Sequence, residues 1–316
     1  MSLVVIVYNE RVRRHASRPV LVALATALCA CDSATIGGPT DGLVGDRPDR
    51  GPSADGPRAD RAWLDGPRRE SSVDPCSPLP AGCLCAQACN AGACDNSLCP
   101  CPPIAGVAYG KIAIAKPTSG DMSKHGDVNL LLRQRQSVAA QKGLVDISGP
   151  TDTKPPPQLY SLFSDDRVPV FPTVYRLQSW DWGCNCAGPY MTSPEVTLAG
   201  MQTKTGEEIR TPMSGYDIGG GRTAVVLYAA KGTITLKYTG EDNVVYGYTV
   251  HLSGICVDPS LQALYDQLSA AGRKELPALT GRQPLGRALS TEIQAAIRDT
   301  GSWMDPRSRK DWWQGK

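Results

Sequence analysis

Beyond position 31 the chain holds two histidines, His125 and His251, and that scarcity bounds its chemistry. In extended backbone, His125-Gly126-Asp127 places two metal-binding side chain types on one face, and His251 would supply a third ligand from elsewhere in a sheet. A metal-dependent hydrolase using His125, Asp127 and His251 around zinc is therefore the catalytic reading; hydrogen-bonded structural histidines are the alternative. Trp180, Trp182 and Tyr190 flank Cys184-Asn185-Cys186, and such rings either pack a core or form a platform on which sugar rings stack. Gly219-Gly220-Gly221-Arg222 lacks the Gly-Lys-Ser/Thr ending of a phosphate loop and reads as a turn. No Gly-x-Ser-x-Gly elbow offers a serine nucleophile. Asp165, Asp166, Asp181, Asp217 and Asp242 show no spacing that pairs two carboxylates for glycoside hydrolysis, so they read as solvated loop acids.

The cysteines fall into sets with different chemistry. Cys76, Cys83, Cys85, Cys89, Cys94, Cys99 and Cys101 crowd into 26 residues with almost no large apolar neighbour. A stretch with no core of its own needs staples, and in an oxidising compartment these are disulfides; the spacings lack the two-residue gaps with which a cysteine pair grips one ion. Setting Cys29 and Cys31 aside, ten of the twelve cysteines remain: those seven, with Cys184, Cys186 and Cys256. Because seven is odd, full pairing requires at least one bond between the cluster and the rest of the chain.

The chain's address is read from its first hundred residues. Arg11, Arg13, Arg14 and Arg18 precede an uncharged run from Val20 to Ala30, which is the basic, apolar and small order of a signal peptide over residues 1–30. That run closes on Leu28-Cys29-Ala30-Cys31, which resembles the lipobox of bacterial lipoproteins. The resemblance implies that Cys31 becomes the first mature residue and carries acyl chains that hold the protein on a membrane. Residues 31–75 form a linker of Asp, Arg, Pro and Gly in which Asp55-Gly56-Pro57-Arg58 recurs as Asp65-Gly66-Pro67-Arg68; such a composition predicts a disordered tether. The cysteine collar spans 76–103. A net charge of +2 gives no field to gather nucleic acid, and no apolar run is long enough to span a bilayer as a helix.

Strand signals dominate from 104 to 256: Val107 to Ile114, Gly143 to Ile147, Val170 to Trp182, Glu195 to Met201, Arg222 to Ala229, Thr233 to Tyr238 and Val244 to Ile255. They predict a mostly β domain, an antiparallel sandwich or small barrel with one or two C-terminal helices, preceded by the disordered linker. Residues 257–316 are expected to be a helical part packed on it. Asp258 as N-cap, Pro259 in the first turn, Leu261, Leu264, Tyr265 and Leu268 on one face, and Gly272 as a stop mark one helix. Thr291 to Arg298 is ambiguous between helix and strand.

Glu208-Ile209-Arg210-Thr211-Pro212, Gly215 and Tyr248-Thr249-Val250-His251-Leu252-Ser253 resemble the lysostaphin-type peptidoglycan endopeptidases, whose Tyr-x-His-Leu histidine is catalytic. The resemblance implies a related β fold and gives His251 that position. The family's later His-x-His pair and its His with Asp four residues on are missing here, so the fold is expected without the enzyme. Thr235 to Asp258 and Met304 to Trp313 also resemble a module of exported bacterial proteins. The sequence therefore points to a lipid-anchored protein of the bacterial cell envelope, facing periplasm or exterior. It is expected to be a non-catalytic binding module for peptidoglycan, polysaccharide or an envelope partner, needing no cofactor, with the zinc hydrolase as the alternative.

Overall fold

Short runs rich in Val, Ile, Thr and Tyr, separated by glycine and aspartate turns, leave the chain little choice but extended pairing. The computed structural model describes residues 101–316 and, ahead of them, the backbone of one hairpin, β1 (Cys89–Asn90) with β2 (Ala93–Cys94). The signal segment, Cys31, the linker, and Cys76, Cys83, Cys85 and Cys99 lie outside the described residues.

Thirteen strands form one sheet, and every ladder in it is antiparallel. Its path begins with β3 (Gly110–Ala113), β12 (Glu275–Leu279), β9 (Ala224–Ala230), β10 (Gly232–Lys237) and β11 (Tyr248–Val257). It continues through β14 (Glu292–Asp299), β7 (Leu198–Gln202), β5 (Val174–Asp181) and β4 (Arg135–Ser137). Three branches leave it: β13 (Pro284–Ala288) joins β11 to β8 (Glu208–Arg210), β15 (Ser302–Met304) pairs with β14, and β6 (Cys186–Tyr190) pairs with β5. The mostly β, antiparallel expectation holds, and the sheet is open. Branching is possible because β11 changes partner: up to Ser253 it pairs with β14, and from Ile255 with β13. Gly254 sits at that switch with φ +78, where a Cβ would come within 3.0 Å of the Glu292 carbonyl.

The ambiguous segment from Thr291 is strand β14, with Ile293, Ala295 and Ile297 in the core and hydrogen bonds to β11 and β7 on either side. Residues 257–316 depart from the helical expectation: they contribute two helices, but also strands β12 to β15. Two of these strands contain prolines, Pro277 and Pro284, and both sit where a strand tolerates one. Pro284 opens β13, and Pro277 lies on the part of β12 paired with β3, before pairing with β9 begins.

Helix α1 (Pro259–Ala270) forms as expected, capped by Asp258, whose side chain accepts from Ser260 N at 2.9 Å and from Ile104 N at 2.6 Å. Such a cap is worth about 1 kcal/mol. Leu261, Tyr265 and Leu268 are its buried face, packed against β9 and β12. At the far end, the one-turn helix α2 (Arg309–Trp312) drives Trp312 and Trp313 into the core, their indole N–H groups donating to the carbonyls of Asp305 and Pro306. Gly219, Gly220 and Gly221 all have positive φ and form the expected turn, closed by Ile218 N–H to Arg222 O at 2.8 Å. No helix among the described residues is long and apolar enough to cross a membrane.

Two disulfides lie among the described residues. Cys101–Cys256 joins the end of the cysteine cluster to β11 across 155 residues of chain, and closing so long a loop stabilises by roughly 5 kcal/mol in the chain-entropy treatment. Cys184–Cys186 closes a loop of separation 2, for which the same treatment gives roughly 1.6 kcal/mol.

Candidate functional site

The predicted aromatic set is assembled at one end of β5. That strand runs into Asp181, whose carboxylate accepts from Gly183 N at 2.7 Å, and the chain reverses through Cys184-Asn185-Cys186 into β6. Asn185 takes φ +53 at the tip, and its side-chain oxygen accepts from Trp180 Nε1 at 3.3 Å. Trp180 meets Trp182 edge-on at 6.3 Å between ring centres, and Trp182 meets His125 at 5.2 Å. Trp180 lies against the backbone of Gly126, where a Cβ would fall 2.2 Å from the indole, so the glycine of His125-Gly126-Asp127 makes room for the ring. Trp182 remains 55% exposed. Tyr190 stands opposite Gln178 across the β5–β6 ladder, partly buried, while the ring contacts join the two tryptophans and His125.

Beside this row lies a cleft of about 190 Å³, lined by His125, Asp127 and Trp182 on one side and by Asn243, Val244 and Val245 on the other. His125 Nδ1 accepts from Asp127 N–H at 3.3 Å, so the neutral ring carries its proton on Nε2. Val245 and Tyr246 are 50% and 60% exposed, extending the apolar surface next to the cleft. A larger hollow of about 810 Å³ lies between 164–170 and 202–207; of its charged residues, Asp165 and Glu207 are both paired with Arg167, and Lys204 also lines it.

His251 is elsewhere in character: it is 1% exposed. The register aligns Thr235, His251 and Ala296 in one row across β10, β11 and β14, and Lys237, Thr249 and Arg298 in the next. This polar face is buried by the segment 122–133. Thr235 Oγ1 donates to Val128 O at 2.6 Å, which uses its one hydrogen; His251 Nδ1, 3.0 Å from that oxygen, must therefore be the donor. The Nε2 lone pair then has no hydrogen-bond partner. Burial, together with Arg298, Arg133 and Lys237, holds the His251 pKa well below the ordinary range. It is a neutral ring sealed from solvent.

Asp127 is the counter-ion of this interior. Its Oδ1 accepts from Arg298 Nη1 at 2.7 Å and from Arg133 Nη2 at 3.3 Å. The two guanidinium groups lie over the Trp303 ring at 4.8 and 5.2 Å, and Arg133 also over Trp180 at 5.6 Å, so tryptophans and arginines alternate beneath the exposed row. Burial pushes Arg133 down to about 10, with Asp127 opposing. Lys237, also buried, is pushed down to about 8.

The structure thus sets His251 apart from the other two residues of the catalytic reading. His125 and Asp127 both line the cleft, with Asp127 paired to two arginines, and His251 is covered by Val128 and Thr235. Among the described residues no group of three or more His, Cys, Asp or Glu side chains is placed to hold a metal ion. Further along the same face Glu292 accepts from Tyr175 Oη at 3.0 Å and from Gln294 Nε2 at 2.9 Å, while Ser253 donates to Gln294. Sequence reading missed the arginines; for Arg298 the signal was the alternation of polar and apolar residues in β14, which looks the same as a solvated edge, and Arg133, in the segment before β4, had none. No protein-family model matches the chain, and no curated protein or solved structure is significantly similar to it.

Proposed function

We propose that this is a lipid-anchored protein of the bacterial cell envelope, tethered to the membrane through acylated Cys31, whose β domain is a non-catalytic binding module for peptidoglycan or a related polysaccharide. The observation that carries the reading is the pairing of exposed Trp182 with His125 at the edge of a small cleft containing Asn243. A sugar ring has an apolar face for an indole and hydroxyls for an imidazole and an amide, and an aromatic wall with a few polar groups is how such ligands are held. Catalysis is disfavoured by the same geometry: a hydrolase needs a base or metal that reaches substrate, whereas Asp127 in the cleft wall is held by Arg133 and Arg298 and His251 is buried.

The test is co-sedimentation of the full chain with insoluble peptidoglycan, scored alongside turbidity clearing. Binding without clearing is expected, and Trp182→Ala should weaken it at least about tenfold, as removal of a central aromatic anchor does. Unchanged binding by Trp182→Ala would displace the cleft as the contact; clearing lost in His251→Ala would overturn the non-catalytic reading.

A further inference from the structure

The geometry points to Cys184–Cys186 as a thiol–disulfide exchange site, a covalent activity that does not rest on the glycan-binding reading. The two disulfides of the described chain differ in kind. Cys101–Cys256 spans 155 residues and has Cys256 1% exposed within β11. It restrains the unfolded chain strongly, and of its two sulfurs the one on Cys256 is closed off in the core while Cys101 is only partly exposed. Cys184–Cys186 has separation 2, and Cys184, Asn185 and Cys186 are all exposed at the tip of the β5–β6 hairpin. Closing so short a loop removes little freedom from the unfolded chain, and the hairpin ladder, with its partners Gln178–Tyr190 and Trp180–Ala187, holds both strands without it. Exposed disulfides that add little to the fold are the ones that exchange.

The loop also carries a reporter. Ring closure places Asn185 at φ +53, and from there its oxygen holds Trp180 Nε1 at 3.3 Å. Opening the ring frees Asn185 to leave the left-handed region, so Trp180 loses its acceptor and the aromatic row responds to the redox state of the turn.

The partner is a dithiol. One of its thiolates attacks Sγ of Cys186; a mixed disulfide forms, the Cys184–Cys186 bond breaks, and Cys184 leaves as thiolate and takes up a proton. The second thiol, deprotonated, attacks the partner's own sulfur in the mixed disulfide and expels Cys186, which is protonated in turn. The partner is oxidised by two electrons to a disulfide, and the turn is reduced by two electrons to two thiols.

Dithiothreitol titration of the oxidised full chain tests this, with N-ethylmaleimide quenching, peptide mass mapping and tryptophan fluorescence at each step. Cys184 and Cys186 should be alkylated at a dithiol concentration at least about tenfold below that which opens Cys101–Cys256, and the fluorescence change should track their opening. Asn185→Gly keeps both sulfurs and removes the acceptor, so it should open as readily with the fluorescence change lost. Simultaneous opening of both disulfides, earlier opening of Cys101–Cys256, or alkylation of Cys184 and Cys186 before any reductant would each overturn the assignment. A fluorescence change that survives in Asn185→Gly would overturn its coupling to Trp180.

Discussion

His251 donates from Nδ1 to Thr235 and keeps an unshared Nε2 lone pair near Arg133, Arg298 and Lys237, so a proton there would add charge to a sealed, already cationic space. Its folded pKa lies well below 6.5, the unfolded value, and below that pH the unfolded chain binds the extra proton. Stability therefore rises with pH through the acid range and is lost as pH falls below about 6.5. In His251→Gln, which keeps a hydrogen-bonding side chain without a titrating one, urea unfolding at pH 7 and pH 5 should show a smaller loss than in the natural chain. Equal losses in both would mean that His251 is not the group being protonated. That His251 was a residue to watch is legible in Tyr248-Thr249-Val250-His251-Leu252. That it is neutral and closed to solvent is not, because the cations responsible come from β10, β14 and the segment before β4.

Elements were read well where the local code is strong. Asp258, Pro259 and Gly272 mark α1 because capping, a preset φ and a left-handed stop are properties of neighbouring residues. Strand β14 was ambiguous because a short run containing Ile293, Ala295 and Ile297 satisfies either period until β11 and β7 supply hydrogen bonds on both sides. Turns misled in a different way: Asp242 stands in a Gly-Glu-Asp-Asn turn and read as a solvated acid. It is 3% exposed and takes Arg273 Nη2 and Nε at 2.6 and 2.7 Å, with Thr118 N at 2.9 Å. Arg273 lies 31 residues away, just past α1, where it also donates to Leu227 O and Tyr265 Oη. Removing one partner leaves a buried charge uncompensated, so Asp242→Ala should cost about 3–5 kcal/mol in denaturant unfolding. A loss under about 1 kcal/mol would show that water reaches Arg273 when its partner is gone.

At the scale of the whole molecule, the described domain is joined through Cys101–Cys256 to a segment that leads back toward the proposed anchor at Cys31. If acylation at Cys31 is the attachment, Cys31→Ser should move the protein from the membrane pellet to the soluble fraction, with loss of incorporated lipid label; a mutant that stays in the pellet would remove the lipoprotein proposal. The antiparallel β class, the α1 helix and the odd cysteine cluster that demands a bond to the domain could all be read from sequence alone, since pattern, caps and parity are properties of the chain. Tertiary structure decided the rest. The alternation Thr235-Leu236-Lys237 and Thr249-Val250-His251 describes one polar and one apolar face, which is how a sheet with a solvated side is written. Only folding shows that 122–133 covers the polar side, spending Asp127 on two arginines and leaving Trp182 and His125 outside. Periodicity reports which residues share a face, and burial depends on what the distant chain lays upon it.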